Sequence, residues 1–235
     1  MILSLWAPLL CAQEESFHTW SDFNYKDYTS SKFAIGGDAG IRGVVSSSEW
    51  TVLYIRPRIQ YDLKTFVNVA FAASAFNTWN TNSPNSIECR LAPEITAQWP
   101  RISSGAFSHR GRYEARFFWN DIPDGNDSGI PDKEQNSRFR YQLSFKTEYF
   151  NISERLDNFF VQASTEFFLP FSESESELFF NQNRLVLSLG QLLNDDWSYK
   201  VDFMWQRSKN TLDGDFSSDQ FILRLRLYLK KLDFN

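Results

Sequence analysis

Residues 107–119 read FSHRGRYEARFFW and separate by parity into two chemically opposite sets. Phe107, His109, Gly111, Tyr113, Ala115, Phe117 and Trp119 form one set; Ser108, Arg110, Arg112, Glu114 and Arg116 form the other. A period of two is the side-chain period of a β-strand. Three arginines and a glutamate opposite an aromatic face are unusual for a strand that turns its polar side to bulk water. The pattern suits a strand with its apolar face to lipid and its charged face to an enclosed lumen.

The same alternation recurs along the chain. In residues 33–45, Ile35, Ile41 and Val45 oppose Asp38 and Arg42, and in residues 50–63, Leu53, Ile55 and Ile59 oppose Arg56, Arg58 and Gln60. Residues 66–79 carry small inward positions, Ala70, Ala72 and Ser74, which leave room for long partners elsewhere in the wall. Residues 87–99 set Ile87, Cys89, Leu91 and Ile95 against Glu88, Arg90 and Glu94. Residues 138–150 place Arg138, Arg140 and Glu148 opposite Phe139, Tyr141 and Phe145. Shorter runs follow with Glu166 and Arg184 inward, and residues 220–230 put Leu223, Leu225 and Leu227 outside, Arg224 and Arg226 inside.

The expected architecture is all-β: an antiparallel transmembrane outer-membrane β-barrel of about 10–12 strands. Short junctions near Lys64, Pro100, Asn151 and Asn194 alternate with longer ones near Asn80, Asp121, Phe171 and Lys209, as periplasmic turns alternate with extracellular loops. Counting from Phe33 gives ten strands, which obeys the even-number rule of bacterial barrels. Residues 13–32 are aromatic and polar without clean alternation and read as an extra strand or a lumen segment; residues 33–235 read as the barrel. Residues 1–12 read as a secretory signal peptide that lacks its usual basic start.

Composition narrows the function classes. The chain has 235 residues, a net charge of -5, and 23 Phe, 9 Tyr and 8 Trp. Mild acidity argues against nucleic-acid binding, and aromatics collect where a protein crosses a membrane interface. Trp50, Trp79, Trp99, Trp119 and Trp197 lie near strand ends, where such a girdle belongs. The expected setting is the outer membrane of a Gram-negative cell, with lipid and lipopolysaccharide around a monomer placed by the general insertion machinery.

Several pieces resemble the bacterial outer-membrane barrel family catalogued as domain of unknown function 2490. They are YIRPRIQYDL at 54–63, ECRLAPE at 88–94, HRGRYEARF at 109–117 and RFRY at 138–141, with LNDDW at 193–197 and LRLRLY at 223–228. The resemblance implies an outer-membrane barrel and implies no biochemical activity.

The inward charges, Arg56, Arg58, Glu88, Arg90, Glu94, Arg110, Arg112, Glu114, Arg116, Arg138, Arg140, Glu148, Arg184, Arg224 and Arg226, have two readings. A basic lining favours an anion-selective pore. Alternatively, a narrow barrel closes its interior with Arg–carboxylate pairs, and this reading is favoured because about eight strands enclose only a side-chain-filled interior. The loop DGNDSGIPD at 124–132 sets Asp124, Asn126, Ser128 and Asp132 as oxygen ligands at alternate positions around a glycine turn, a candidate calcium site whose expected bidentate glutamate is Gln135. Two rival classes remain: an outer-membrane lipase or deacylase, for which His18 and His109 are the available bases, and a soluble carbohydrate-binding β-sandwich.

Overall fold

The computed structural model describes residues 14–45, 49–120, 132–153, 157–171, 182–209 and 216–231. Among these residues, eleven strands form one closed sheet: β1 (Glu14–Tyr28), β2 (Phe33–Val44), β3 (Trp50–Lys64), β4 (Val67–Asn80), β5 (Ser86–Gln98) and β6 (Gly105–Asn120), then β7 (Asp132–Thr147), β8 (Phe159–Pro170), β9 (Gln182–Leu192), β10 (Trp197–Lys209) and β11 (Phe216–Lys231). Each strand pairs with its sequence neighbours in antiparallel register. A single closed sheet replaces the two packed sheets of the sandwich alternative.

Two findings differ from the all-antiparallel, even-numbered expectation. The N-terminal segment that alternated poorly is a full wall strand, β1, with His18, Trp20 and Asp22 buried inside and Phe17 and Phe23 exposed outside. It closes the barrel by parallel pairing with β11, from Glu14 opposite Ser218 to Asp27 opposite Lys231. The reason is directional: hairpins reverse the chain at every step, so the first and last of an odd number of strands run the same way.

Turn chemistry sets the short-turn end. The Asn194 side-chain oxygen accepts from the Asp196 and Trp197 amides, and Ser30 Oγ accepts from the Lys32 and Phe33 amides, both local side-chain turns. Gly105, at φ 152°, begins β6 where a Cβ would lie 2.1 Å from the Lys146 carbonyl oxygen, so only glycine fits.

Even-numbered side chains face inward on every strand. Along β3, Leu53, Ile55 and Ile59 are exposed whereas Tyr54 is buried; along β9, Leu185, Leu187 and Leu189 are exposed whereas Ser188 is buried. The interior is the polar phase: Asp202 is 0%, Glu114 2% and Glu166 3% exposed. An apolar exterior around an ionic interior is the membrane-barrel inversion of a soluble core. No described helix is long and apolar enough to cross a membrane, and the crossing elements are strands.

Trp79 and Trp99 are exposed outside, and Trp99 stacks on His109 and meets Phe107 edge-on. Trp50 departs from the expected girdle: as an even-numbered residue it faces the lumen and its ring lies 5.2 Å from that of His18. The unheated detergent-folded protein is expected to migrate differently from the boiled protein on a gel. A single unshifted band would contradict the closed barrel.

Candidate functional site: the ion-paired lumen

Small residues on β4 and β5 make the lumen's ionic geometry possible. Ala70, Ala72, Ser74 and Ala92 are buried on the inner wall, and Ala72 stands between Arg58 on β3 and Ala92 on β5. Arg58 therefore reaches over β4 and bonds Glu94 on β5 at 2.6 Å.

Glu94, Glu114 and Glu166 are the hubs of a ring of alternating charge. Arg112 joins Glu94 at 2.5 Å and Glu114 at 3.5 Å. Arg140 joins Glu114 at 2.7 Å and Glu166 at 2.8 Å. Arg110 completes the circuit, 2.8 Å from Glu166 and 3.9 Å from Glu94. Arg138 adds to Glu114 at 2.6 Å and Arg184 to Glu166 at 3.4 Å. Each carboxylate thus serves several guanidiniums through charge-assisted hydrogen bonds, which are stronger than neutral ones.

Two satellite groups flank the ring. Glu88 holds Arg90 at 2.5 Å and Arg116 at 2.6 Å. At the parallel seam, Asp22 on β1 accepts from Arg224 on β11 at 2.6 Å and from the Tyr54 hydroxyl at 2.7 Å. Arg226 continues to Asp202 at 2.9 Å, and Lys200 lies 3.4 Å from the same carboxylate. Gly40 lets the strand and the tyrosine pack closely here, since a Cβ would lie 2.4 Å from the Ser21 carbonyl oxygen and 3.0 Å from the Tyr54 ring.

Of the inward charges read from the sequence, Glu148 falls outside this network. It follows the end of β7, is partly exposed, and pairs with exposed Arg101 at 3.6 Å. The alternation stops with the strand, so parity no longer assigns it a face. Asp22, Asp38 and Asp202 also belong to the lumen, beyond the inward charges named from the sequence. Asp38 binds Arg56 through both oxygens at 2.8 Å. Extending the even-number parity into β1 and β10 is the signal that finds Asp22 and Asp202.

The ring stands at the junction of two cavities. One, of about 900 Å³, opens at the short-turn end among Gln60, Thr96, Gln98 and Ser108. The other, of about 380 Å³, lies deeper. Arg110, Gln142 and Gln162 wall both. Ten arginines and Lys200 line the deeper cavity, and Glu166 is the one carboxylate among its described walls.

The other candidate sites are placed as follows. Asp124, Asn126 and Ser128 lie outside the described residues, and Asp132 enters β7 opposite Asn120. His109 faces outward, and its Nδ1 lies 2.5 Å from the Tyr141 hydroxyl, not near a serine. His18 does meet a serine: its Nε2 is 2.8 Å from Ser16 Oγ, with both side chains on the lumen side of β1. Cys89 is a free thiol on the outward parity of β5.

A closed all-β barrel with an apolar outer wall and an Arg/Glu-lined interior has the architecture of an outer-membrane β-barrel. The chain belongs to the DUF2490 family, proteins of unknown function, whose family model matches residues 17–217. Among solved structures it is similar to the NanC porin, with 11% identity and a TM-score of 0.50 over 89% of this chain and 91% of that one. That likeness is one of fold. No curated protein matches the chain.

Proposed function

We propose that this protein is a narrow outer-membrane channel that admits small anions past an ion-paired constriction. The observation that carries this reading is the deeper cavity, with ten arginines and Lys200 against Glu166 on its described walls. Several of those arginines are neutralised by carboxylates set behind them, but the surface offered to a solute is guanidinium. A basic lining lowers the barrier for anions and raises it for cations. The cavity at the short-turn end, where amides and hydroxyls stand among Lys26, Lys32, Arg58, Lys64 and Arg110 with Asp62 and Glu94, suits a net-basic entry vestibule.

The likeness to a porin agrees with a conducting role, and the exposed apolar belt agrees with outer-membrane lipid and lipopolysaccharide as surroundings. A monomer inserted by the general barrel-assembly machinery is part of the same proposal. A lipid-modifying role has less support. The Ser16–His18 pair faces the lumen, away from acyl chains, and His18 Nδ1 has no orienting partner among the described residues.

In planar bilayers under a potassium chloride gradient, the purified barrel is expected to give small steady steps with a reversal potential on the chloride side. A cation-side reversal, or a silent bilayer containing correctly folded protein, would overturn the channel reading.

A further inference from the structure

One region of the lumen is built with donors left over. Trp20 on β1 stands directly opposite Arg42 on β2 and Arg224 on β11 in the strand register. Its indole packs with Met204 and Ile222, with Val186 against them, an apolar island inside a polar lumen. The Arg42 guanidinium lies 4.4 Å from the Trp20 ring and 4.5 Å from the Tyr54 ring, held by cation–π contact. Arg224 is anchored to Asp22, whereas Arg42 has no carboxylate partner among the described residues.

Three buried polar atoms here lack a hydrogen-bond partner: Arg42 Nε, Trp20 Nε1 and His18 Nδ1. His18 is 3% and Trp20 8% exposed, and all three residues line the deeper cavity. When the Ser16 hydroxyl donates to His18 Nε2, the ring proton sits on Nδ1, which makes a third free donor. Leaving buried donors unsatisfied is costly, and native interiors rarely do so in clusters. An arginine fixed by aromatic faces, without a counter-charge, beside two spare N–H groups is a receptor for an acceptor-rich anion.

We infer that Arg42, Trp20 and His18 form a binding site for the oxyanion group of a small organic anion, a carboxylate or phosphate whose apolar portion lies on Trp20, Val186 and Met204. The site deepens the channel reading by naming the class of solute, but it binds whether or not current flows. Arg184 and Arg224, with charge centres 5.5 and 5.6 Å from the Trp20 ring, add positive field without being the free group.

The test is calorimetry on the full barrel folded in detergent, with phenyl phosphate and inorganic phosphate as probes. Phenyl phosphate is expected to bind saturably and more tightly than inorganic phosphate. Arg42→Gln is expected to weaken it about tenfold, and Trp20→Phe, which keeps the ring and removes the N–H, about fivefold. Arg116→Gln removes the same charge elsewhere on the wall, from a carboxylate that keeps Arg90, and is expected to change binding less than about twofold. Heat-modifiable migration checks that each variant folds, and Trp20→Phe carries the test alone if Arg42→Gln does not.

Absence of saturable binding, an unaffected Trp20→Phe, or equal losses in Arg116→Gln and Arg42→Gln would overturn the site. Equal affinity for the two probes would overturn its apolar half. Binding in a barrel that does not conduct leaves the site standing and removes the channel, and conduction without binding does the reverse.

Discussion

Tyr113→Arg is expected to block stable insertion, at a cost of about 2 to 4 kcal/mol, the penalty for an arginine on the lipid face near the bilayer midplane. Tyr113 is 42% exposed on the outer face of β6, next in sequence to Arg112, which is buried inside. It lies midway along a strand that runs from Gly105 to Asn120, where hydrocarbon is deepest. Urea titration of refolding into lipid vesicles measures the loss. Arg112→Gln is the paired control, and its insertion is expected to persist. Both carboxylates it leaves behind remain partnered, Glu94 by Arg58 and Arg110 and Glu114 by Arg138 and Arg140. Tolerance of Tyr113→Arg together with loss of Arg112→Gln would mean that the two faces are reversed.

Glu114→Gln is expected to destabilise the folded barrel by about 3 to 5 kcal/mol, the usual consequence of removing one partner from buried charge. The asymmetry with Arg112→Gln follows from how the ring is built. Guanidiniums outnumber carboxylates in the ring, so each of its acids is a hub that serves several arginines. Glu114 holds Arg112, Arg138 and Arg140. Without it Arg138 has no ion-pair partner among the described residues, while Arg140 retains Glu166. The freed positive charge also faces the cavity, so the anion preference in bilayers is expected to rise in Glu114→Gln as stability in urea falls. A variant as stable as the parent would show that water in the lumen, not the ring, satisfies these arginines.

How much of this was legible in the sequence varies with the length scale of the signal. Residues 107–119 place Tyr113 outside and Arg112 inside because side-chain parity is local, with a period of two residues that no partner strand can alter. The same signal identified most of the lumen charges, from Arg56 to Arg226. It weakened where local chemistry was mixed. In β1, Ser21 and Thr19 dilute the outer face, so Trp20 and Asp22 did not stand out. It stopped where the strand stopped, as at Glu148. Trp50 was misplaced because position near a strand end suggests a girdle, whereas its parity directs it to the lumen.

The sequence by itself determined that this chain is a membrane barrel with lipid outside and arginine and glutamate inside, because alternation is written residue by residue. Only the tertiary structure decided which charges meet. The small Ala72 lets Arg58 cross β4 to Glu94, and closure brings Asp22 of the first strand to Arg224 of the last. Those pairings depend on strand number and on the parallel seam that an odd number imposes. For the same reason the spare donors at His18, Trp20 and Arg42 became visible only once the barrel was closed: a group without a partner is defined by everything around it.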